Sequence, residues 1–124
     1  MRGPYAVLTV PGRRTGLPRS TPLEVVPVGD GWRVTAVYGL VDWVKNLQAS
    51  GTATILVRGR EFPVRSEQLP RRETAVILRD RLASASRTTM RMVGPYFDAT
   101  SESPLEAWEL EADHHPVFML QKTS

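Results

Sequence analysis

Residues 5–38, YAVLTVPGRRTGLPRSTPLEVVPVGDGWRVTAVY, decide the fold class. A β-rich run over residues 5–10 stops at Pro11-Gly12, and a second run follows over residues 19–28. Pro22 and Pro27 lie inside that second run. A proline has no N–H to give a central ladder, so their presence predicts edge pairing or a bulge. Gly29-Asp30-Gly31 is a hairpin turn signal, and residues 32–38 alternate as its partner strand. The first third therefore reads as an antiparallel meander.

Outward from it the pattern changes. Val41, Val44 and Leu47 recur at helical spacing over residues 41–50, with Asp42 in the first turn and Gly51 as a stop. Residues 52–58 and 60–65 form a second hairpin around Gly59, with Ala53, Ile55 and Val57 on one face. Pro70 stands as a first-turn proline, and Ala75, Leu78 and Leu82 keep a helical stripe to about residue 83. Residues 84–102 carry no clear period. Ser103-Pro104 with Glu106 opens a further helix, with Leu105, Trp108 and Ala112 on one side, and residues 116–120 form a last strand. The strands sum to about six, without regular strand–helix alternation. That order predicts a mainly β (α+β) fold: a six-stranded antiparallel barrel with flanking helices.

The 124 residues, 41% of them apolar, suffice for a single domain, taken as residues 1–124. The absence of cysteine excludes disulfides, thiolate–zinc sites, iron–sulfur clusters and a thiol nucleophile. No apolar run approaches the roughly 18 residues of a membrane span, and Met1-Arg2-Gly3-Pro4 lacks the apolar stretch of a secretory signal. A cytoplasmic location without stable membrane insertion is expected. The net charge of +3 conceals an asymmetry. Residues 1–92 hold fifteen basic and seven acidic side chains, residues 93–124 one and six. Such a field concentrates an anionic partner near the first three quarters of the chain. Fourteen of the sixteen cations are arginine, the residue suited to bidentate recognition of phosphate or carboxylate.

Two constellations stand out. Gly12-Arg13-Arg14-Thr15-Gly16-Leu17-Pro18-Arg19 packs guanidinium groups, a hydroxyl and two glycines between two strands, an anion cradle by composition. It lacks the Gly-Lys-Ser/Thr end of a P-loop and the Gly-x-Gly-x-x-Gly of a dinucleotide site, and on composition alone a solvated basic turn is the competing reading. Further on, Trp43, Asn46 and Leu47 share one helix face, setting an indole beside a carboxamide at a helix N-terminus. That pair suits stacking and hydrogen bonding to a heterocycle; the alternative puts Trp43 in the core and Asn46 in solvent.

These motifs, in their order, resemble the deazaflavin-dependent nitroreductase family. They are Gly-Arg-Arg-Thr-Gly-x-Pro-Arg after a strand, Thr21-Pro22-Leu23, the Gly-Asp-Gly hairpin, Asp-Trp-Val-x-Asn-Leu-x-Ala-x-Gly, Pro-Tyr-Phe-Asp and His-Pro-Val-Phe. Members are split β-barrel flavin/deazaflavin oxidoreductases that use coenzyme F420. The resemblance implies that Arg13, Arg14, Thr15, Gly16 and Arg19 bind the acidic tail of F420. It also implies that Trp43, Asn46 and Leu47 border the deazaflavin, and that Tyr38 and Gly39 lie close to the cofactor. Tyr96, where relatives place active-site tyrosines, is then a pocket-lining residue or proton donor; its other reading is simple packing. The implied partner is a small-molecule electron acceptor, and split-barrel relatives frequently pair, which leaves open a homodimer. This chain lacks the His/Asn-Pro step of better-known members before the tryptophan, and Glu24 stands where some relatives have an aromatic residue.

Two other expectations compete. FMN serves some split-barrel relatives, but its single phosphate needs fewer arginines. A non-catalytic barrel binding nucleic acid suits the basic charge, but aromatics make up only 7% of the chain and no strand clusters them for base stacking. His114 and His115 have no further ligand at a suggestive spacing, so no metal is expected. Glu102, Glu106, Glu109, Glu111 and Asp113 read as a solvated helix face.

Overall fold

The computed structural model describes residues 5–123, so the reading of residues 1–4 lies outside the described residues. The chain divides into two compact units. The first holds residues up to Val34, Val41–Gln68 and those from Phe118; the second holds Thr35–Leu40 and Leu69–Val117.

The first unit is built on a seven-stranded sheet. Its strands are β1 (Tyr5–Pro11), β2 (Pro18–Glu24), β3 (Val26–Val28), β4 (Gly31–Thr35), β5 (Thr52–Val57), β6 (Arg60–Gln68) and β7 (Val117–Lys122), in the order β2-β1-β5-β6-β7-β4-β3. The pairs β1–β2, β1–β5, β3–β4, β5–β6 and β6–β7 are antiparallel. β2 and β3 hold opposite edges of this order, yet only Val25 separates them in the chain. Two edges one residue apart require the sheet to roll until they nearly meet, which is the geometry of a split barrel. The expected strand over residues 19–28 is thus two strands, and the count is seven rather than six. Val25 is fully buried at the corner.

Alternation fills the interior. Ala6, Leu8 and Val10 of β1 are buried, as are Ala53, Ile55 and Val57 of β5, and the register sets Leu8 opposite Ile55 and Ala6 opposite Val57. Each Leu, Ile or Val side chain so removed from water contributes about 2 kcal/mol. Helix α1 (Asp42–Ser50) adds Val44 and Leu47 to the same core. It stops at Gly51, whose φ of 72° is left-handed and whose N–H donates to the Leu47 carbonyl at 2.9 Å.

The second unit is helical. Its elements are α2 (Arg71–Ala83), α3 (Arg87–Val93), a single 3-10 turn at Gly94–Tyr96 and α4 (Leu105–Ala112). Ala75, Leu78 and Leu82 of α2 meet Trp108 and Ala112 of α4, with Phe97 and Val117, in one buried cluster. The stripes read from the sequence are the ones buried, Leu105 only in part. One member of the acidic face departs from expectation: Glu111 is buried, and its Oε2 accepts the backbone N–H groups of Asp98 and Ala99, both at 2.6 Å. Those two orphan amides of the loop before α4 draw the carboxylate inward. The expected strand over residues 32–38 ends at Thr35, because the chain turns there: Gly39 has a φ of 91° and its N–H donates to the Ala36 carbonyl at 3.1 Å.

Candidate functional site

The loop between β1 and β2 closes on itself. Gly12 N–H donates to Leu17 O at 2.8 Å, Gly16 N–H donates to Gly12 O at 2.8 Å, and Leu17 N–H donates to Thr15 Oγ1 at 3.2 Å. Gly16 has a φ of 74°, a conformation that a residue with a Cβ enters at a cost. Gly12 is constrained differently: a Cβ there would stand 3.3 Å from Leu17 O, against the loop's own closing bond.

Beside the loop lies a cleft of about 370 Å³ lined by Arg13, Arg14, Thr15, Arg19, Asp42, Trp43 and Asn46, among others. The loop and α1 therefore share a wall, and six of the expected cofactor-binding residues converge on it. Their roles differ. Asn46 is only 4% exposed, and its Oδ1 accepts from the Arg13 backbone N–H at 3.1 Å and from Arg13 Nη1 at 2.8 Å. Arg13 Nη2 also reaches Asp42 Oδ1 at 3.5 Å, an exposed contact that water weakens. Arg14 and Arg19 are exposed, and their guanidinium groups make no hydrogen bond or ion pair with any described residue. Trp43 is half-buried, its ring edge-on to buried Phe118 with centroids 6.2 Å apart. Of the two arrangements the helix spacing allowed, neither holds in full: the carboxamide is inside and the indole is at the surface of the cleft.

The other expected residues are not among those lining this cleft. Gly16 borders a separate depression with Pro11, Pro18, Thr52 and Pro63. Tyr38, Gly39 and Tyr96 belong to the second unit. There the Tyr38 and Tyr96 rings meet edge to face with centroids 5.1 Å apart, and Tyr96 is 53% exposed. Sequence reasoning missed the residue behind this pair. His115, 2% exposed, brings Nδ1 to 2.8 Å from the Ala36 carbonyl oxygen and Nε2 to 2.9 Å from that of Tyr96, and its ring stacks on Phe97 at 3.9 Å. The one signal available beforehand was a paired histidine just ahead of the last strand. Among the described residues no three His, Asp or Glu side chains are grouped to hold a metal ion, and no helix is long and apolar enough to cross a membrane.

A solved F420-H2 dependent reductase, FDR-A, superposes with a TM-score of 0.62 at 19% identity, covering 95% of this chain and 94% of the other. A structure described as an F420 reductase gives 0.53 at 16% identity, covering 99% and 89%. A third, described as a domain-swapped dimer, gives 0.63 at 18% identity, covering 98% and 82%. At these identities the likeness establishes the fold. No curated protein sequence matches. The family model for F420H(2)-dependent quinone reductase matches residues 1–92, so the chain, a deazaflavin (F420)-dependent oxidoreductase on a split β-barrel, belongs to the F420H(2)-dependent quinone reductase family.

Proposed function

We propose that the protein takes hydride from reduced F420, held in the cleft between the Arg13–Arg19 loop and α1, and passes it to an electron-poor acceptor: a quinone, an activated alkene or a nitroaromatic. The observation that carries this reading is the pair of uncommitted guanidinium groups, Arg14 and Arg19, on the same cleft wall as Trp43. Their chemistry fits the cofactor, whose phosphate and glutamyl carboxylates are the oxygens a planar fork of N–H donors recognises two at a time. The single phosphate of FMN gives such a set less to do.

When bound, the reduced deazaflavin supplies the hydride. The chain supplies the rest. With the cofactor bound, Arg14 and Arg19 would hold the tail, Arg13 and Thr15 would keep the loop in shape, and Trp43 would contact the ring system. Tyr96 is assigned as the proton donor, on the ground that its phenol is half exposed and has no hydrogen-bond partner among the described residues. Tyr38 and Gly39 shape the turn on which Tyr96 rests its ring. The family's description favours a quinone among the acceptors. The same reading places the enzyme in the cytoplasm, treats residues 1–124 as one functional domain, and takes a homodimer as its assembly, in line with the similar structure described as a domain-swapped dimer.

Titrating the purified protein with F420 tests the reading. A saturable fluorescence change at micromolar cofactor is expected, and its absence rejects the proposal. Oxidation of reduced F420 is then followed with one acceptor of each class. Turnover with none of them removes the reductase assignment.

A further inference from the structure

We propose that Asn46 is a latch: its carboxamide oxygen positions the arginine-rich loop through Arg13 instead of serving the deazaflavin ring as an acceptor. Its effect on cofactor binding rests on the reading above; the latch itself does not.

The argument starts from the carboxamide oxygen, which has two lone pairs. Both are taken, one by the Arg13 backbone N–H at 3.1 Å and one by Arg13 Nη1 at 2.8 Å. No lone pair on Oδ1 is left for a heterocycle. Because one of the two donors is main chain, the contact fixes where the loop backbone runs as well as where one side chain lies. The loop's other bonds, Gly12 to Leu17, Gly16 to Gly12 and Leu17 to Thr15, are internal; they set its shape and make no bond to α1. The remaining polar contact from the loop to α1 is Arg13 with Asp42 at 3.5 Å, and Asp42 is 89% exposed, where water and salt screen the attraction. The part-buried bonds through Asn46 are therefore the less screened of the two polar contacts that hold the loop to the helix.

A division of labour follows. Arg13 is turned onto α1 and spent on the latch, and Arg14 and Arg19 remain for an anion. Since Trp43 is one turn from Asn46 on the same helix, the latch sets the spacing between the indole and the free guanidinium groups. A cofactor that spans both must match that spacing. A ligand that reaches only the indole need not.

Two measurements test this. Amide hydrogen exchange on the cofactor-free protein reads the latch directly. The Arg13 amide is expected to exchange at least about tenfold faster in Asn46→Ala, and to stay protected in Asn46→Asp, whose carboxylate accepts the same two donors. Fluorescence titration then compares F420 with its tail-free deazaflavin core. Asn46→Ala is expected to weaken F420 by about tenfold and to leave the core within about twofold. Asn46→Leu, close in volume, replaces Asn46→Ala in both measurements if the latter loses its fold. Unchanged Arg13 exchange overturns the latch, and equal weakening of both ligands overturns it in favour of a ring contact. If the wild-type protein binds neither ligand, the cofactor reading fails and the exchange result still decides the latch.

Discussion

At the scale of single residues, the cleft separates arginines that look alike in the sequence. Among the described residues the guanidinium groups of Arg14 and Arg19 have no partner, and that of Arg13 is engaged. Arg14→Ala and Arg19→Ala are expected to raise the dissociation constant for F420 by about tenfold each at low salt, with the gap to wild type narrowing as salt is added, because exposed charges are screened. Titrations at two ionic strengths check both statements. Tyr96→Phe, which removes only the hydroxyl, is expected to lower kcat by about 100-fold with the F420 affinity unchanged, the outcome of losing a general acid. The anion cradle and the indole–carboxamide pair were legible from composition and spacing. Which of Trp43 and Asn46 lies inside was not, since ordinary preference buries the indole. The donors that reverse it come from Arg13, 33 residues away in sequence, beyond any local pattern. Glu111 follows the same rule: its helix face looks solvated, and two distant loop amides bury it. Glu111→Ala leaves both amides unpaired and is expected to cost about 1–3 kcal/mol in urea unfolding.

At the scale of elements, what the sequence shows depends on how much of each element is buried. β1, β5, α2 and the tryptophan side of α4 bury regular stripes, and their periods were readable. α3 buries only Val93 and exposes Met90 and Met92, so no period marks it. Its one local signal is Ser86, whose side chain accepts from the Thr89 N–H at 3.1 Å as an N-cap. The corner at Val25 was also hidden, because a continuous β-rich run does not show where it changes neighbours. Prolines at 22 and 27 did announce edge strands, and both lie in strands at the sheet's edges. Between strands, Gly31 of β4 leaves no room beside β7: a Cβ there would run into the Leu120 carbonyl oxygen. Gly31→Ala forces the two strands apart and is expected to cost about 2 kcal/mol or more in a thermal melt.

At the scale of the whole molecule, the order of the motifs carried the family assignment before any coordinates, and the sheet explains why they are spread along the chain. The loop after β1 and helix α1 are separated by three strands in sequence, and both belong to the first unit. The second unit owes part of its order to His115, which no pattern revealed. His115→Ala removes a ring that reaches two carbonyls and stacks on Phe97, and is expected to destabilise the fold by about 3 kcal/mol, read by chemical denaturation. The homodimer is tested by sedimentation equilibrium at micromolar protein, where a single species at the monomer mass rejects it.

The prolines at the sheet's margins have one more consequence. A row of unsatisfied amides at the rim of a sheet invites a neighbouring molecule to continue the ladder, the first step toward fibrils. Here one rim strand is interrupted by Pro18 and Pro22, and the other is three residues long with Pro27 at its centre. Each imino acid removes a donor that an incoming chain would use. Resistance to self-templated deposition is thus written into the same residues that mark where the sheet stops.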